Sequence, residues 1–341
     1  MEAMTVFTAI GIILAMGYGV LNGFRDASTA VAAAVRTRAM TPGMAVAVAA
    51  IFAFIGTFAS TSLGSFLVQR LEIPLHDGVP GLALLISALL TAGGWGLYCW
   101  WRGIPASSTH ALISGLVGAS VATTLTSGEP AGASLLFLAL GVLLPLLLTP
   151  LLAFGLSYVL VIPATWLVRH DTAKDVSVRS QIGQAISSCA VALGLGLQDG
   201  QRTGAMIAVV LITGHVIEPG PISWTIQLTA ASCLALGVLF GGWRITHTLG
   251  HRLVKIDPLR GMVAQSVASL MLYVGALALH LPLSTTQSVT SAIVGAGANQ
   301  RFESVRWRSV LRVLRIWLAT PVVCAVVAAI IGLAVYPLTQ L

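Results

Sequence analysis

The sequence predicts an all-α, polytopic membrane protein with about ten to twelve transmembrane elements, some of them half-helices. Of its 341 residues, 57% are hydrophobic and only 9% are charged, and the mean hydropathy is +0.93. A soluble domain carries roughly 25% charged residues, so a water-soluble fold of this length could not hide so much apolar surface. Apolar stretches also recur along the whole chain, and several approach the length of about 20 residues that crosses a bilayer.

The apolar stretches define the predicted elements in chain order. The first stretch lacks a basic n-region and is expected to be a mature helix rather than a signal peptide. The stretch at 132–168 is long enough for two spans, although three prolines interrupt it. The stretches at 184–197, 204–218 and 286–300 are too short to cross alone, which predicts half-helices. The full set of predicted elements lies near 4–21, 43–68, 81–98, 108–125, 132–168, 184–197, 204–218, 222–241, 262–280, 286–300 and 311–337.

Basic residues gather in three segments, 169–179, 244–260 and 301–315, within a chain of net charge +7. In a chain this apolar, basic loops are orientation signals that face the cytoplasm, and a nucleic-acid partner is not expected. We therefore predict one transmembrane domain over 1–341, with 169–183 as a cytoplasmic connecting loop. The predicted location is the plasma membrane, as a multi-pass protein of the bacterial inner-membrane kind.

A hydroxyl-rich segment occurs twice in the chain. Residues 104–120 align with residues 281–297 at an offset of 177. The identical pairs are Pro105/Pro282, Ser107/Ser284, Thr109/Thr286, Ser114/Ser291, Val117/Val294, Gly118/Gly295 and Ala119/Ala296. A proline opens each copy and suits the start of a helix. The segments SSTH (107–110) and STTQ (284–287) are therefore predicted helix N-termini, where N–H groups, hydroxyls and the helix dipole favour an anion.

A second motif recurs in the same order. NGFRDASTA (22–30) aligns with LGLQDGQRT (195–203) at an offset of 173, and the identical pairs are Gly23/Gly196 and Asp26/Asp199. The first aspartate precedes its hydroxyl cluster by 81 residues and the second precedes its own by 85. Two unlike motifs that keep their order and spacing indicate a duplication. We expect one repeat over about 5–125 and the other over about 184–300.

Two repeats with polar interruptions are typical of secondary transporters of inverted topology, in which the substrate lies near the midplane between the repeats. An aspartate within the bilayer is costly and indicates a functional site. The structural alternatives stay open: hydroxyls in membrane helices often bond the preceding turn or a neighbouring helix. Asp199 and Arg202 are spaced to form an i,i+3 ion pair, whereas Arg25 and Asp26 are adjacent and share no helix face.

The chain resembles the inorganic phosphate transporter (PiT) family over nearly its whole length, as a divergent bacterial-type member. NGFRDASTAVAAAVRTRAMTP (22–42) is similar to the family's first signature. PASSTHALISGLVGA (105–119) and PLSTTQSVTSAIVGAG (282–297) resemble its repeated Pro-x-Ser-Thr-Thr-His segment. GGWRITHTLGHRLVKIDP (241–258) and VRW (305–307) are close to stretches typical of bacterial members.

The resemblance implies two inverted repeats that bind phosphate and coupling cations between them. Combined with the charge of the motifs, it identifies two groups of candidate site residues. The candidate phosphate-binding residues are Ser107, Ser108, Thr109, Ser284, Thr285, Thr286, Arg202, Arg25, Gln201 and Thr29. The candidate residues for the coupling cation, H⁺ or Na⁺, are Asp26, Asp199, Asn22 and Gln198, with Na⁺ at the two aspartates as the one metal-ion possibility.

Several positions depart from the family pattern. Arg25 and Thr29 stand where the first signature usually has Asn, and Leu195 stands where the second usually has His. Arg202 replaces the usual Lys, and Gln287 replaces the usual His. Loss of carboxamide oxygens weakens a sodium site, because hard cations prefer oxygen ligands. Extra guanidinium groups suit an oxyanion, so the coupling cation and the preferred oxyanion both stay open.

The predicted function is cation-coupled import of inorganic phosphate by a non-enzyme without a cofactor. Importing an anion against a negative-inside potential costs about 2.3 kcal/mol per charge per 100 mV, so cations must move with it. A sulfate or other oxyanion permease and a passive anion channel are the alternatives. An intramembrane hydrolase is disfavoured because the chain lacks a nucleophile elbow. The expected partners are phosphate and the lipid bilayer, and a homodimer is left open.

Overall fold

The structure is a computed structural model that describes residues 2–60, 78–127, 144–241, 243–279, 281–300 and 304–340. Within these ranges the chain is helical, and its one β-type pairing is an isolated bridge between Val254 and Val305. The twelve α-helices of the described ranges are α1 (Glu2–Arg36), α2 (Pro42–Ala59), α3 (Val79–Trp101), α4 (Ser108–Ser127), α5 (Leu144–Leu167), α6 (Ala173–Leu195), α7 (Gln201–Thr213), α8 (Trp224–Phe240), α9 (Trp243–His247), α10 (Pro258–Tyr273), α11 (Thr285–Ala298) and α12 (Trp307–Val335).

The prediction of an all-helical, multi-pass membrane protein is confirmed. Seven helical runs of the described residues are long and apolar enough to cross a membrane, and there are eight if the bent pair α8 and α9 forms one span. The ranges 61–77 and 128–143, which hold parts of the predicted elements at 43–68 and 132–168, lie outside the described residues. Helix α5 (Leu144–Leu167) contains Pro150 and Pro163 in its interior, so these prolines do not end it.

Two stretches that were predicted to be half-helices are parts of one continuous helical rod. The stretches 184–197 and 204–218 belong largely to a continuous helical run, Ala173–Thr213, of 41 residues. A π-helical turn at Gly196–Gly200 joins α6 to α7 without breaking the backbone hydrogen bonding. The run also begins at Ala173, inside the predicted connecting loop 169–183. The non-helical connection between α5 and α6 is therefore a short turn at residues 168–172. On which side of the membrane this turn lies stays a prediction.

The first motif also lies in an unbroken helix. Helix α1 has 35 residues and continues through residues 22–30 to Arg36, so the expected interruption at this motif is wrong. The physical reason is that a helix satisfies its own backbone polar groups, and that Arg25 and Asp26 are buried against other helices rather than exposed to lipid.

Glycines of both motifs bring helices into backbone contact. A Cβ on Gly23 of α1 would lie 2.0 Å from the Leu234 carbonyl oxygen of α8. A Cβ on Gly196 would lie 2.2 Å from the Ala53 carbonyl oxygen of α2. Small residues permit such close approach in membrane helices. Each motif is thus held directly against a helix of the other half of the chain.

The hydroxyl-rich helices use an equivalent pair of glycines. A Cβ on Gly118 of α4 would lie 1.9 Å from the Ala325 carbonyl oxygen of α12, and one on Gly295 of α11 would lie 2.2 Å from the Phe154 carbonyl oxygen of α5. The outer helices α5 and α12 carry many exposed large apolar side chains, including Leu151 and Val322. Such a surface suits contact with lipid. The hydroxyl-rich helices α4 and α11 are therefore each packed against a lipid-facing neighbour.

Candidate functional site

The two hydroxyl clusters are helix N-termini, as the prolines before them predict. The Ser107 hydroxyl oxygen accepts a hydrogen bond from the backbone N–H of His110 (3.2 Å) at the start of α4. The Ser284 hydroxyl oxygen accepts one from the N–H of Gln287 (3.3 Å) at the start of α11. These serines are aligned in the sequence and perform the same N-cap function. The next two residues of each cluster are then free to face a neighbouring group.

Those next residues meet the two aspartates in one buried cluster. Thr286 donates a hydrogen bond from its hydroxyl to Asp26 (2.9 Å), and Thr285 donates one to Asp199 (3.1 Å). The Ser108 hydroxyl lies between the carboxylates, 3.3 Å from Asp26 and 3.4 Å from Asp199. All five side chains are at most 4% exposed. The structure thus brings together both aspartates, one hydroxyl of the first cluster and two hydroxyls of the second.

The two buried arginines have different partners. Arg202 forms an i,i+3 ion pair with Asp199 inside the protein and lies 3.4 Å from the carbonyl oxygen of Leu283. Arg25 donates a hydrogen bond to the carbonyl oxygen of Ala106 (2.7 Å) and makes no salt bridge within the described part of the chain. Each acceptor carbonyl belongs to the residue just before an N-cap serine, and each lies 81 residues after its arginine.

The segment that leads into α4 is held by its backbone. Its carbonyl groups lack helical donors and accept hydrogen bonds from side chains of three other parts of the fold. The bonds are Arg244 to Trp101 (3.1 Å), Thr248 to Gly103 (2.7 Å), Trp317 to Pro105 (2.8 Å) and Arg25 to Ala106 (2.7 Å). The position of the first helix tip is therefore fixed from α1, α12 and the region around α9.

Five other candidate residues are buried but lie outside these carboxylate contacts. Thr29 donates to the backbone carbonyl of Asp26 (2.6 Å) within α1. Gln201 faces a small cavity that it shares with residues of α2 and α8. Gln198 lies 3.3 Å from a carbonyl of α10 and 3.4 Å from one in the segment before α11. Asn22 is buried, as is Thr109, whose hydroxyl has no hydrogen-bond partner in the described residues. A binding role for these five, as for the other candidate residues, stays a prediction.

The sequence motifs did not identify two residues that contact the site, Tyr18 and Trp317. Tyr18 donates a hydrogen bond to the Ser108 carbonyl oxygen (3.1 Å), and Trp317 supports Pro105 as described above. Tyr18 lies eight residues before Asp26, which places both on one face of α1, and this spacing could have identified it. Trp317 lies in an apolar run with no local signal of its partner.

The cluster contains carboxylate and hydroxyl oxygens, which can act as ligands of a cation, and guanidinium groups, which can donate hydrogen bonds to an anion. Carboxylate and hydroxyl oxygens suit H⁺ or a hard monovalent cation, whereas guanidinium groups and helix N-termini suit an oxyanion. A buried site of this kind inside a multi-pass helical protein defines a membrane transport protein.

The chain belongs to the phosphate transporter family, a family of non-enzymes. Residues 22–328 match the family described as "Phosphate transporter family". The chain is 33% identical to a probable low-affinity inorganic phosphate transporter of Rhizobium meliloti over 97% of each chain. It is 29% identical to a Bacillus subtilis protein of the same name, again over 97% of each. It is a multi-pass protein of the plasma membrane with bacterial relatives.

A solved structure shares the fold. The protein described as "The sodium-dependent phosphate transporter" superposes with a TM-score of 0.69 over 97% of this chain and 99% of its own, at 19% identity. Low-affinity inorganic phosphate transporter PitB of Escherichia coli is 30% identical over 61% of this chain and 47% of its own length. The resemblance identified from the motifs is therefore confirmed.

Proposed function

We propose that this chain is a cation-coupled symporter that imports inorganic phosphate. The observation that carries the proposal is the meeting of Ser108, Thr285 and Thr286 with Asp26 and Asp199 in one buried cluster. These residues come from two copies of a duplicated motif pair, and they provide ligands for an anion and for a cation side by side. The names of the relatives support phosphate as the anion.

Phosphate would bind at the tips of α4 and α11. The first N–H groups of a helix have no partners within that helix and point toward an anion. The hydroxyls of Ser108, Thr285 and Thr286 add side-chain donors at the same place. Arg202 and Arg25 would add charge-assisted hydrogen bonds through guanidinium N–H groups that their present acceptors do not use, since the Nε of each has no partner among the described residues.

The hydroxyls provide a physical basis for coupling. In the present arrangement Thr286 and Ser108 donate to the carboxylates. A hydroxyl has a single proton to donate, so it cannot serve a carboxylate and a phosphate oxygen together. A cation bound at the carboxylates would attract the hydroxyl oxygens as ligands and turn their protons outward to phosphate. Cation binding would thereby prepare the phosphate site, which makes the two events mutually dependent.

Alternating access would follow from an inverted repeat. We propose repeats centred on about 5–125 and 184–300, extended by α5 and α12. The reciprocal glycine contacts support this, because α1 packs on α8 as the α6–α7 rod packs on α2. Likewise α4 packs on α12 as α11 packs on α5. Rocking of one set of helices against the other would expose the shared site to each side in turn.

Uptake of radiolabelled phosphate into proteoliposomes tests the proposal. Imposed proton and sodium gradients are compared, with arsenate and sulfate as competitors. We expect uptake that one of the two gradients accelerates and that arsenate inhibits. Phosphate flux that neither the proton nor the sodium gradient changes would instead identify a passive channel. Sulfate transport without phosphate transport would identify a different permease.

Substitution of the central carboxylate tests the site. Asp26→Asn removes a buried charge from the cluster, and we expect it to abolish gradient-driven uptake. Asp175→Asn is the matched control, since this aspartate is exposed at the start of α6 and should leave uptake unchanged. Normal gradient-driven uptake by Asp26→Asn, at normal expression, would rule out the assigned role.

A further inference from the structure

Four charged side chains are buried in the described part of the chain, and all four lie at the candidate site. Asp199 is 0% exposed, and Asp26, Arg25 and Arg202 are each 1% exposed. Their formal charges sum to zero. Burying a net charge in a low-dielectric interior is costly, so whatever enters this site should itself be neutral in sum.

The two carboxylates are not equivalent. Asp199 is in direct ion-pair contact with the guanidinium of Arg202, so a positive charge already occupies its coordination sphere. The oxygens of Asp26 are bound only by the neutral hydroxyls of Thr286 and Ser108 among the described residues. Hydroxyls can rotate to present a lone pair to a cation, whereas a cation at Asp199 would have to displace Arg202.

Arg25 does not play the corresponding part for Asp26. It immediately precedes Asp26 in α1, and its charge is near enough to act on the carboxylate. Its guanidinium, however, donates to the Ala106 carbonyl oxygen (2.7 Å) and is packed against Gly96, where an added Cβ would lie 2.8 Å from its terminal nitrogen. Arg25 therefore anchors a helix tip and leaves the carboxylate oxygens of Asp26 accessible to another cation.

We infer that Arg202 is a resident cation that replaces a mobile one at Asp199, and that a single coupling cation binds, at Asp26. The inference rests on the proposed function and refines it. Because the fixed charges cancel, one monovalent cation is balanced by one monoanion. The transported phosphate species is then dihydrogen phosphate, H₂PO₄⁻, and the transport cycle is electroneutral.

The experiment compares phosphate exchange with coupled net uptake in proteoliposomes. Exchange of internal for external labelled phosphate needs no gradient and reports the proposed function. The cation-to-phosphate ratio is obtained from the cation gradient that just balances an opposing phosphate gradient. For the wild type we expect exchange, a single cation per phosphate, and net uptake that an imposed membrane potential does not change.

Variants of the ion pair test the role of Arg202. Arg202→Gln leaves Asp199 without its resident charge, and we expect a second coupling cation and uptake that responds to potential. Adding Asp199→Asn to Arg202→Gln should restore the single-cation ratio, and Arg202→Lys should preserve it. These comparisons are made only for variants that retain phosphate exchange.

The outcomes separate the two proposals. A wild-type ratio of two cations, with exchange intact, overturns the inference while the symport proposal stands, and this result needs no variant. An unchanged ratio in Arg202→Gln likewise overturns it. Absence of phosphate exchange in the wild type rejects the proposed function, and the inference falls with it.

Discussion

Replacement of Gly23 by alanine should separate α1 from α8 and disable the site. The added Cβ would lie 2.0 Å from the Leu234 carbonyl oxygen and 3.0 Å from the Val238 nitrogen. Ordinary carbon–oxygen contacts begin at about 3.3 Å, so the helices must move apart by about 1.3 Å. Overpacking of this kind typically costs about 1–3 kcal/mol of stability.

The same displacement reaches Asp26, one turn further along α1. Its hydrogen bond from Thr286 is 2.9 Å long, and a lengthening of about 1 Å would take the two oxygens beyond hydrogen-bond distance. A shift of about 1 Å at a functional group can cost about 10²-fold in rate, and we expect a loss of that order in phosphate uptake. Thermal unfolding in detergent and initial uptake rates in proteoliposomes measure the two effects.

Gly17→Ala is the control in the same helix. Its Cβ would meet nothing within 4 Å, so the better helix propensity of alanine should stabilise it by up to about 1 kcal/mol without altering uptake. Equal melting temperatures and equal uptake rates for Gly23→Ala and Gly17→Ala would contradict the predicted clash between α1 and α8.

Three further predictions concern single interactions and the substrate. Thr286→Val keeps the shape of the side chain but removes the hydrogen-bond donor to Asp26. Because a hydrogen bond to a charged group contributes about 1.5–3 kcal/mol, phosphate uptake should fall about 10- to 100-fold. Thr286→Ser, which keeps the hydroxyl, should stay largely active, and equal uptake by both variants would contradict this prediction. Trp317→Phe leaves the buried Pro105 carbonyl without its donor and should lower unfolding stability by about 1–3 kcal/mol, measured by thermal melting; an unchanged melting temperature would count against that anchor. Sulfate remains a dianion at neutral pH and should not inhibit phosphate uptake, whereas arsenate should; strong sulfate inhibition would argue against a monoanion site.

The sequence was sufficient for the class, the fold type and the positions of the two hydroxyl-rich helix N-termini. Proline followed by hydroxyls has a local physical meaning, because it supplies an N-cap and a helix start. Duplication supplied the long-range part of the prediction: two motifs in the same order implied that Asp26 and Asp199 would meet the hydroxyl clusters, and they do.

Continuity of the helices and the partner of Arg25 were beyond the sequence. Nothing local distinguishes two half-helices from a rod with a π-helical turn, as in Ala173–Thr213. A glycine-rich, polar stretch suggests a break unless neighbouring helices are known to enclose it. The i,i+3 spacing made the Arg202–Asp199 pair foreseeable, but the acceptor of Arg25 lies 81 residues away and depends on tertiary packing.

Three side chains hold the segment before α4 through hydrogen bonds to its main-chain carbonyl groups, and none of these bonds involves a side chain of the segment. Trp317, Thr248 and Arg25 each donate to a carbonyl oxygen, and every amino acid supplies a carbonyl. Evolution can therefore vary an exposed side chain of this segment, that of Arg102, with little harm to the geometry. The donors have no such latitude, so deep mutational scanning should find intolerance at Trp317, Thr248 and Arg25 and tolerance at Arg102.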